Sequence, residues 1–451
     1  MAYFRDRIRS PRYRQLLRNI IASFVLYIGK YILQFIQYLW LWKYLGPYYY
    51  GLLSFGTTII LYFDIVVEYG FNIPATRQVS MNRNNKAFLI EIYGTVVFMK
   101  LVFVFVCAGV YFPMIVLRLF PYGEFWQVYI IFFGILFGYA TTSNFIFQGM
   151  ERFKYITYNY LVSYFIYMIC LILFVHNFTD YWIAAVFEMS YMVLIGILNV
   201  IVIKRAFGIG FKLPSVRAIR TQLREGAWMF IQIMIFSIYS YSPVLFLGLF
   251  VSNLSNGLAI VGYYSLATTI IAAAQGLIST ITTVVFPRVT KLVQDSQDQA
   301  LRFVKKFFIL LLGLGIAIFL GIFFLSGFLP LGLALVGIHK DLTQIIAILK
   351  IQSILPVILV INNTLGMQIM LALNYKRAFT AVYAGAFSLC LVLTIIFVPL
   401  FYEIAMAAII VIVETFIMTV EYVYLRRRGI NIFEGIQNNL MNIFKNRKDE
   451  V

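Results

Sequence analysis

The chain has 451 residues, of which 62% are hydrophobic and only 12% charged. A soluble domain carries about 25% charged residues, so too little polar surface is present to solvate a globule of this size. The net charge of +18 does not point to nucleic acid, because most of the basic residues are gathered in the termini and in alternate loops between apolar runs.

Apolar runs of about 20 residues, long enough to cross a hydrocarbon core, recur along the whole chain. In lipid such runs must be helices, since the backbone finds no other hydrogen-bond partner. They predict an all-α membrane protein of about twelve transmembrane helices. The first six spans are 17–41, 52–73, 88–111, 126–147, 156–175 and 182–203. The second six are 227–250, 260–286, 304–326, 343–373, 378–400 and 404–425. The first run is too long for a cleaved signal peptide, and no small-x-small site precedes Lys43. Pro356 is expected to kink the tenth span. Cys107, Cys170 and Cys390 lie inside spans without metal spacing and read as packing residues. In the tail, Ile432, Phe433, Ile436, Leu440, Ile443 and Phe444 recur at helical spacing, as in an interfacial amphipathic helix.

The N-terminal arm holds Arg5, Arg7, Arg9, Arg12, Arg14 and Arg18, and every second loop after it is basic. These segments and the tail carry 30 of the 36 Lys and Arg, whereas the intervening loops hold only Lys43, Arg118 and Lys340. Such alternation places both termini on the cytoplasmic side. Anionic lipid headgroups are then the partners of the basic loops, with no nucleic acid.

The longest hydrophilic connection, 204–226, separates an N-terminal lobe (1–203) from a C-terminal lobe (227–425), and a basic tail follows (426–451). A shift of 211 residues lays Ser54, Thr57, Thr58, Ile59, Ile60 and Arg77 on Ser265, Thr268, Thr269, Ile270, Ile271 and Arg288. A shift of 223 lays Lys154, Thr157 and Tyr160 on Arg377, Thr380 and Tyr383. Both pair helix n with helix n+6, a parallel repeat of the kind used by transporters. Outer loops of at most about 16 residues leave no room for the catalytic domain of a membrane glycosyltransferase or polymerase. The sequence also lacks a phosphate-binding loop, and its two histidines, His176 and His339, lie far apart. An enzyme is not expected, nor is a resident cofactor beyond a coupling H+ or Na+.

Ionisable groups inside spans are costly and mark function by default. Lys30 shares a helix face with Gln34 and Gln37, while Lys100 and Lys350 lie in spans three and ten. Three interior ammoniums suit an anion such as pyrophosphate. Asn144 and Gln148, Gln275, and Asn362 and Asn363 extend the candidate cavity lining. Asp64 and Glu68, one turn apart, with Glu188 and Glu414, are the candidate ion-coupling acids. Glu91, Arg77 and Arg288 sit near the boundary on the basic side, the two arginines as entrance cations. Structural Lys–Glu pairing is the competing reading for each of these groups.

Tyr44-Leu45-Gly46-Pro47-Tyr48-Tyr49-Tyr50-Gly51 resembles the turn after helix 1 of bacterial polysaccharide exporters. Phe63-Asp64 to Tyr69-Gly70 with Arg77, Phe147-Gln148-Gly149-Met150-Glu151-Arg152-Phe153-Lys154 and Phe286-Pro287-Arg288 resemble further motifs of that family at the expected places. The resemblance is to the O-antigen flippase (Wzx-type) branch of the multidrug/oligosaccharidyl-lipid/polysaccharide exporter superfamily. It implies two six-helix lobes rocking about a central cavity. It also implies transfer of an undecaprenyl-pyrophosphate-linked repeat unit of O-antigen, capsule or exopolysaccharide across the inner membrane. A polymerase and a chain-length regulator of the same pathway are the implied protein partners. A cation-coupled drug antiporter of the same superfamily, which prefers an acidic or aromatic pocket, is the alternative.

Overall fold

The computed structural model describes the backbone of residues 11–335 and 342–431. The first arginines of the N-terminal arm, Lys340 and the expected tail helix beyond Asn431 lie outside the described residues. So does the side chain of Lys30. Among the described residues there is no strand, and ten helices are long and apolar enough to cross a membrane.

The first helix, α1 (Pro11–Glu68), takes up the first two expected spans in one run of 58 residues. At ~1.5 Å per residue that run is about 87 Å long, far beyond the ~30 Å hydrocarbon core. It is broken at Gly46 (φ 75°, ψ 178°), immediately before Pro47. A proline removes an N–H from the ladder and cannot follow a helical residue cheaply. The short α2 (Asn72–Met81) comes next, then α3 (Lys86–Val116). The expected span 126–147 is interrupted: α4 (Trp126–Phe133), α5 (Ile135–Thr141) and α6 (Asn144–Gly149) replace one continuous helix. The second break is at Thr142, whose extended backbone (ψ 110°) ends α5. Two long helices, α7 (Lys154–Phe174) and α8 (Tyr181–Phe207), follow, and then α9 (Val216–Phe250) and α10 (Gly257–Asp295).

Beyond them lie α11 (Gln297–Leu325), α12 (Leu329–Leu335), α13 (Thr343–Gln352) and α14 (Leu355–Asn362). The kink expected at Pro356 falls at Ser353–Ile354, between α13 and α14, because it is the carbonyl four residues earlier that loses its donor. A π-helical stretch, Asn363–Leu371, continues from α14. The last helix, α15 (Lys376–Arg427), spans 52 residues and breaks at Tyr402 (φ 46°, ψ −122°), between the two spans expected there.

The chain forms two compact units, Met1–Gly262 and Tyr263–Val451. In the first, Phe71, Val79, Tyr93, Val96 and Phe147 build a core between α2, α3 and α6. α9 also belongs to this unit and runs along α1. Tyr62 donates its hydroxyl to the carbonyl of Ile238 (3.2 Å), and the rings of Tyr69 and Phe230 stack at 4.8 Å. Two glycines of the exporter-like motifs make this approach possible. Gly51 touches the start of α10 so closely that a Cβ would stand 1.8 Å from the carbonyl oxygen of Leu258. Gly70 has φ 72°, and a Cβ there would stand 2.6 Å from the backbone nitrogen of Phe230. In the second unit, Phe308 and Leu311 of α11 pack with Val360, Leu365, Ile369 and Leu425.

Gly51→Val is expected to lower the melting temperature of the purified protein, on the order of 1–3 kcal/mol of overpacking. Gly109→Val, where a Cβ meets nothing within 4 Å, is expected to leave it unchanged. Equal melting shifts in the two variants would refute the close-packing role.

Candidate functional site

The polar stripe of α1 meets its partners on α3, α5 and α8. Lys100 of α3 reaches back to Glu68 of α1, its Nζ donating to Oε1 at 2.5 Å and to the carbonyl of Thr142 at 3.3 Å. The lysine side chain is 3% exposed and the glutamate 28%. The acid therefore faces the open side and the ammonium lies behind it. The break at Thr142 has a role here, because it turns a carbonyl out of the α5 ladder toward Lys100. Asp64 stands one turn before Glu68, half-buried, with its Oδ1 enclosed and without a partner. Thr57 donates to Oε1 of Glu188 on α8 at 3.0 Å.

Gln37 is buried between tyrosines of α7: its Nε2 donates to the Tyr167 hydroxyl at 2.8 Å, and the Tyr164 hydroxyl donates to its Oε1. The Tyr164 and Tyr167 rings pack on Tyr191 of α8 at 5.3 and 5.0 Å. This tyrosine layer was not legible in the sequence, where 32 tyrosines offer no means of sorting core from belt. Gln34 is half-buried, and so are Asn144 and Gln148; the last accepts from Thr76 at 3.2 Å.

On the basic side of the first unit, Gln78 of α2 donates to Glu225 of α9 at 2.5 Å and accepts from Gln222 at 2.7 Å. Arg83 and Glu151 form an ion pair at 2.6 Å. Arg77 is exposed beside them in sequence. The Gln78 link joins α2 to α9 outside the membrane runs, and neither partner stands out by composition.

In the second unit, Asn362 donates its Nδ2 to Glu414 Oε2 at 2.7 Å, and Gln368 donates to the carbonyl of Thr282 at 2.7 Å. Asn363 and Gln275 are half-buried, and Lys350 is exposed. The exposed Arg288 lies over the Phe303 ring, 4.6 Å from its centroid. The candidate residues thus form separate clusters: Asp64–Glu68–Lys100 and Thr57–Glu188 in the first unit, and Asn362–Glu414 in the second. Glu421, which lies at the edge of the last expected span, is a buried acid that the sequence reading passed over. Its spacing of seven from Glu414 was the available signal.

The family described as "Polysaccharide biosynthesis protein" matches residues 16–293, more than half of the chain. The chain belongs to that family. A relative from Escherichia coli (strain K12), named "Putative O-antigen transporter", is 28% identical over 418 residues, covering 92% of this chain and 98% of its own. A protein of the same name from Shigella dysenteriae is 25% identical over 289 residues, 61% of this chain and 67% of its own. Among solved structures, the lipid II flippase MurJ in an inward closed conformation matches with a TM-score of 0.70. It is 15% identical, and the match covers 91% of this chain and 87% of MurJ. An inward-facing multidrug resistance transporter of the MATE family and MOP superfamily matches with a TM-score of 0.65 at 12% identity, over 90% and 94% of the two chains. With ten such apolar helices and these relatives, the chain is a multi-pass protein of the bacterial inner membrane, and its all-α fold is the one seen in the MurJ and MATE structures.

Because Lys100 is the more deeply buried partner, Glu68→Gln, which strands its charge, is expected to destabilise the purified protein more than Lys100→Met. The expected loss is on the order of 3–5 kcal/mol. The double variant Glu68→Gln/Lys100→Met is expected to recover most of it. Thermal unfolding in detergent reads all three, and strictly additive losses would exclude the pair.

Proposed function

We propose that this chain is a flippase that carries undecaprenyl-pyrophosphate-linked oligosaccharide repeat units across the bacterial inner membrane by alternating access. The observation that carries the reading is the Escherichia coli relative, which aligns over 92% of this chain and 98% of its own length. The likeness to MurJ and MATE structures supports a fold able to rock between two faces. The reading takes the chain as twelve spans in two lobes with both termini cytoplasmic, which the charge alternation and the breaks at Gly46 and Tyr402 support. Transport is not enzymatic in this reading: no covalent bond of the substrate is broken.

Lys30, Lys100 and Lys350 supply the positive charge for the pyrophosphate. Lys100 becomes available only when it parts from Glu68, so an incoming anion competes with the carboxylate for the ammonium. Gln34, Gln37, Asn144, Gln148, Gln275, Asn362 and Asn363 are the polar groups of the glycan path, and Arg77 and Arg288 attract the anion at the entrance. Asp64, Glu68, Glu188 and Glu414 are the acids through which an H+ or Na+ gradient drives the cycle. A polymerase and a chain-length regulator of the same pathway receive the product. The acids and tyrosines around Gln37 and Glu188 favour a second reading, a cation-coupled multidrug antiporter of the same superfamily.

One measurement separates the two readings and a second tests the coupling. Lys100→Ala is expected to abolish surface polysaccharide in a complementation assay while the protein still inserts, and undiminished polysaccharide would argue for the antiporter. Asp64→Asn is expected to weaken transport into vesicles driven by an imposed ion gradient. Equal uptake with and without the gradient in the wild type would remove coupling from the scheme.

A further inference from the structure

The second unit encloses an acid that the scheme above does not use. Glu421 of α15 is 0% exposed, and neither of its carboxyl oxygens has a hydrogen-bond partner. It is seated against the π-helical stretch: a Cβ on Gly366 would stand 2.6 Å from Oε1, and 2.8 Å from the ring of Phe379. Only glycine leaves room for the carboxyl there. Two turns earlier on the same helix, Glu414 is held by Asn362. The other face of that amide, Oδ1 of Asn362, is an enclosed acceptor without a donor, and so is Oε1 of Gln368. Acceptor oxygens therefore outnumber donors on this part of α14, α15 and the π-helical stretch.

The titratable groups in electrostatic reach of Glu421 are Glu414, on its own helix, and Tyr383, on the first limb of α15. Neither is a cation. Of the arginines that follow it, Arg426 and Arg427 are exposed, and Arg428 lies over the rings of Tyr375 and Tyr424, at 5.4 and 5.5 Å. An isolated carboxylate in such a site costs far more than the neutral acid, which brings the one O–H donor that the cluster lacks. The close approach of Oε1 to Gly366 suits a proton rather than a metal ion with its own shell of oxygens.

We propose that Glu421 is a proton-carrying site of the second unit, holding a proton while seated against Gly366 and releasing it to water when that part of α15 leaves the seat. The step is a simple dissociation: the O–H bond breaks, the electron pair stays on the carboxylate, and a water molecule takes the proton. Binding of the proton stands apart from the flippase reading; only its use in transport rests on it.

Infrared difference spectroscopy of the full-length purified protein tests the site without any substrate, so failure here leaves the flippase reading untouched. At neutral pH, wild type minus Glu421→Gln is expected to show the C=O stretch of a protonated carboxyl, shifted in D2O and bleached as pH rises. Wild type minus Glu414→Gln is not expected to reproduce that band. A carboxylate band pair in its place would overturn the proposal. If Glu421→Gln does not fold, Glu421→Asp keeps a carboxyl and is expected to move the band, and an unmoved band would overturn it as well. Exchanging K+ for Na+ at fixed pH is expected to leave the melting temperature unchanged. A rise with Na+ that is lost in Glu421→Gln would make this a sodium site and end the proton assignment.

Discussion

In the hydrocarbon layer no water satisfies a backbone N–H or C=O, and every structural choice in this protein is made under that condition. It explains why the described chain is helical throughout, and why departures from regular helix are informative. Each break frees a carbonyl or an N–H that must find another partner. The interruption at Thr142 is such a case: its carbonyl is spent on Lys100, which is simultaneously paired with Glu68. The π-helical stretch from Asn363 to Leu371 is another, and it is there that Gly366 accepts the carboxyl of Glu421 against its backbone.

Polar side chains inside the units follow the same rule, and they are arranged in small closed sets rather than in one row. Thr57 with Glu188, Gln37 with Tyr164 and Tyr167, and Asn362 with Glu414 each satisfy part of their hydrogen-bonding capacity internally. In a medium of low dielectric such sets are strong when complete and costly when opened. The alternating access we propose would need polar contacts that exchange rather than vanish. The Lys100–Glu68 pair has the right form for this, with a buried cation behind a partly exposed acid.

Close backbone approach is the second device. The motif glycines Gly51 and Gly70 let the first residues of α10 and the helix α9 approach α1 at two separated levels of the first unit. Association without a hydrophobic driving force depends on such small-residue contacts and on interhelical hydrogen bonds. The Glu225–Gln78–Gln222 link extends the same seam beyond the apolar runs.

The sequence by itself determined the class, the approximate spans and the family resemblance, because these rest on properties that are local in the chain: run length, breakers, charge alternation and short motifs. It placed the turn at Gly46-Pro47 and a disturbance near Pro356 for the same reason. It named Lys100, Glu68, Asn362 and Glu414 as interior polar groups, since a charge within an apolar run is visible without any fold. What each of them faces was decided only by tertiary structure. Lys100 meets an acid from α1, 32 positions away, and Asn362 meets one 52 positions away, and no helical spacing reports such pairs. Glu421 shows the limit most clearly. Read locally it is an acid within two turns of a cluster of arginines, where charge is cheap. The packing of α15 on Gly366 instead closes it off from water, because only a neighbouring helix can remove solvent from a side chain.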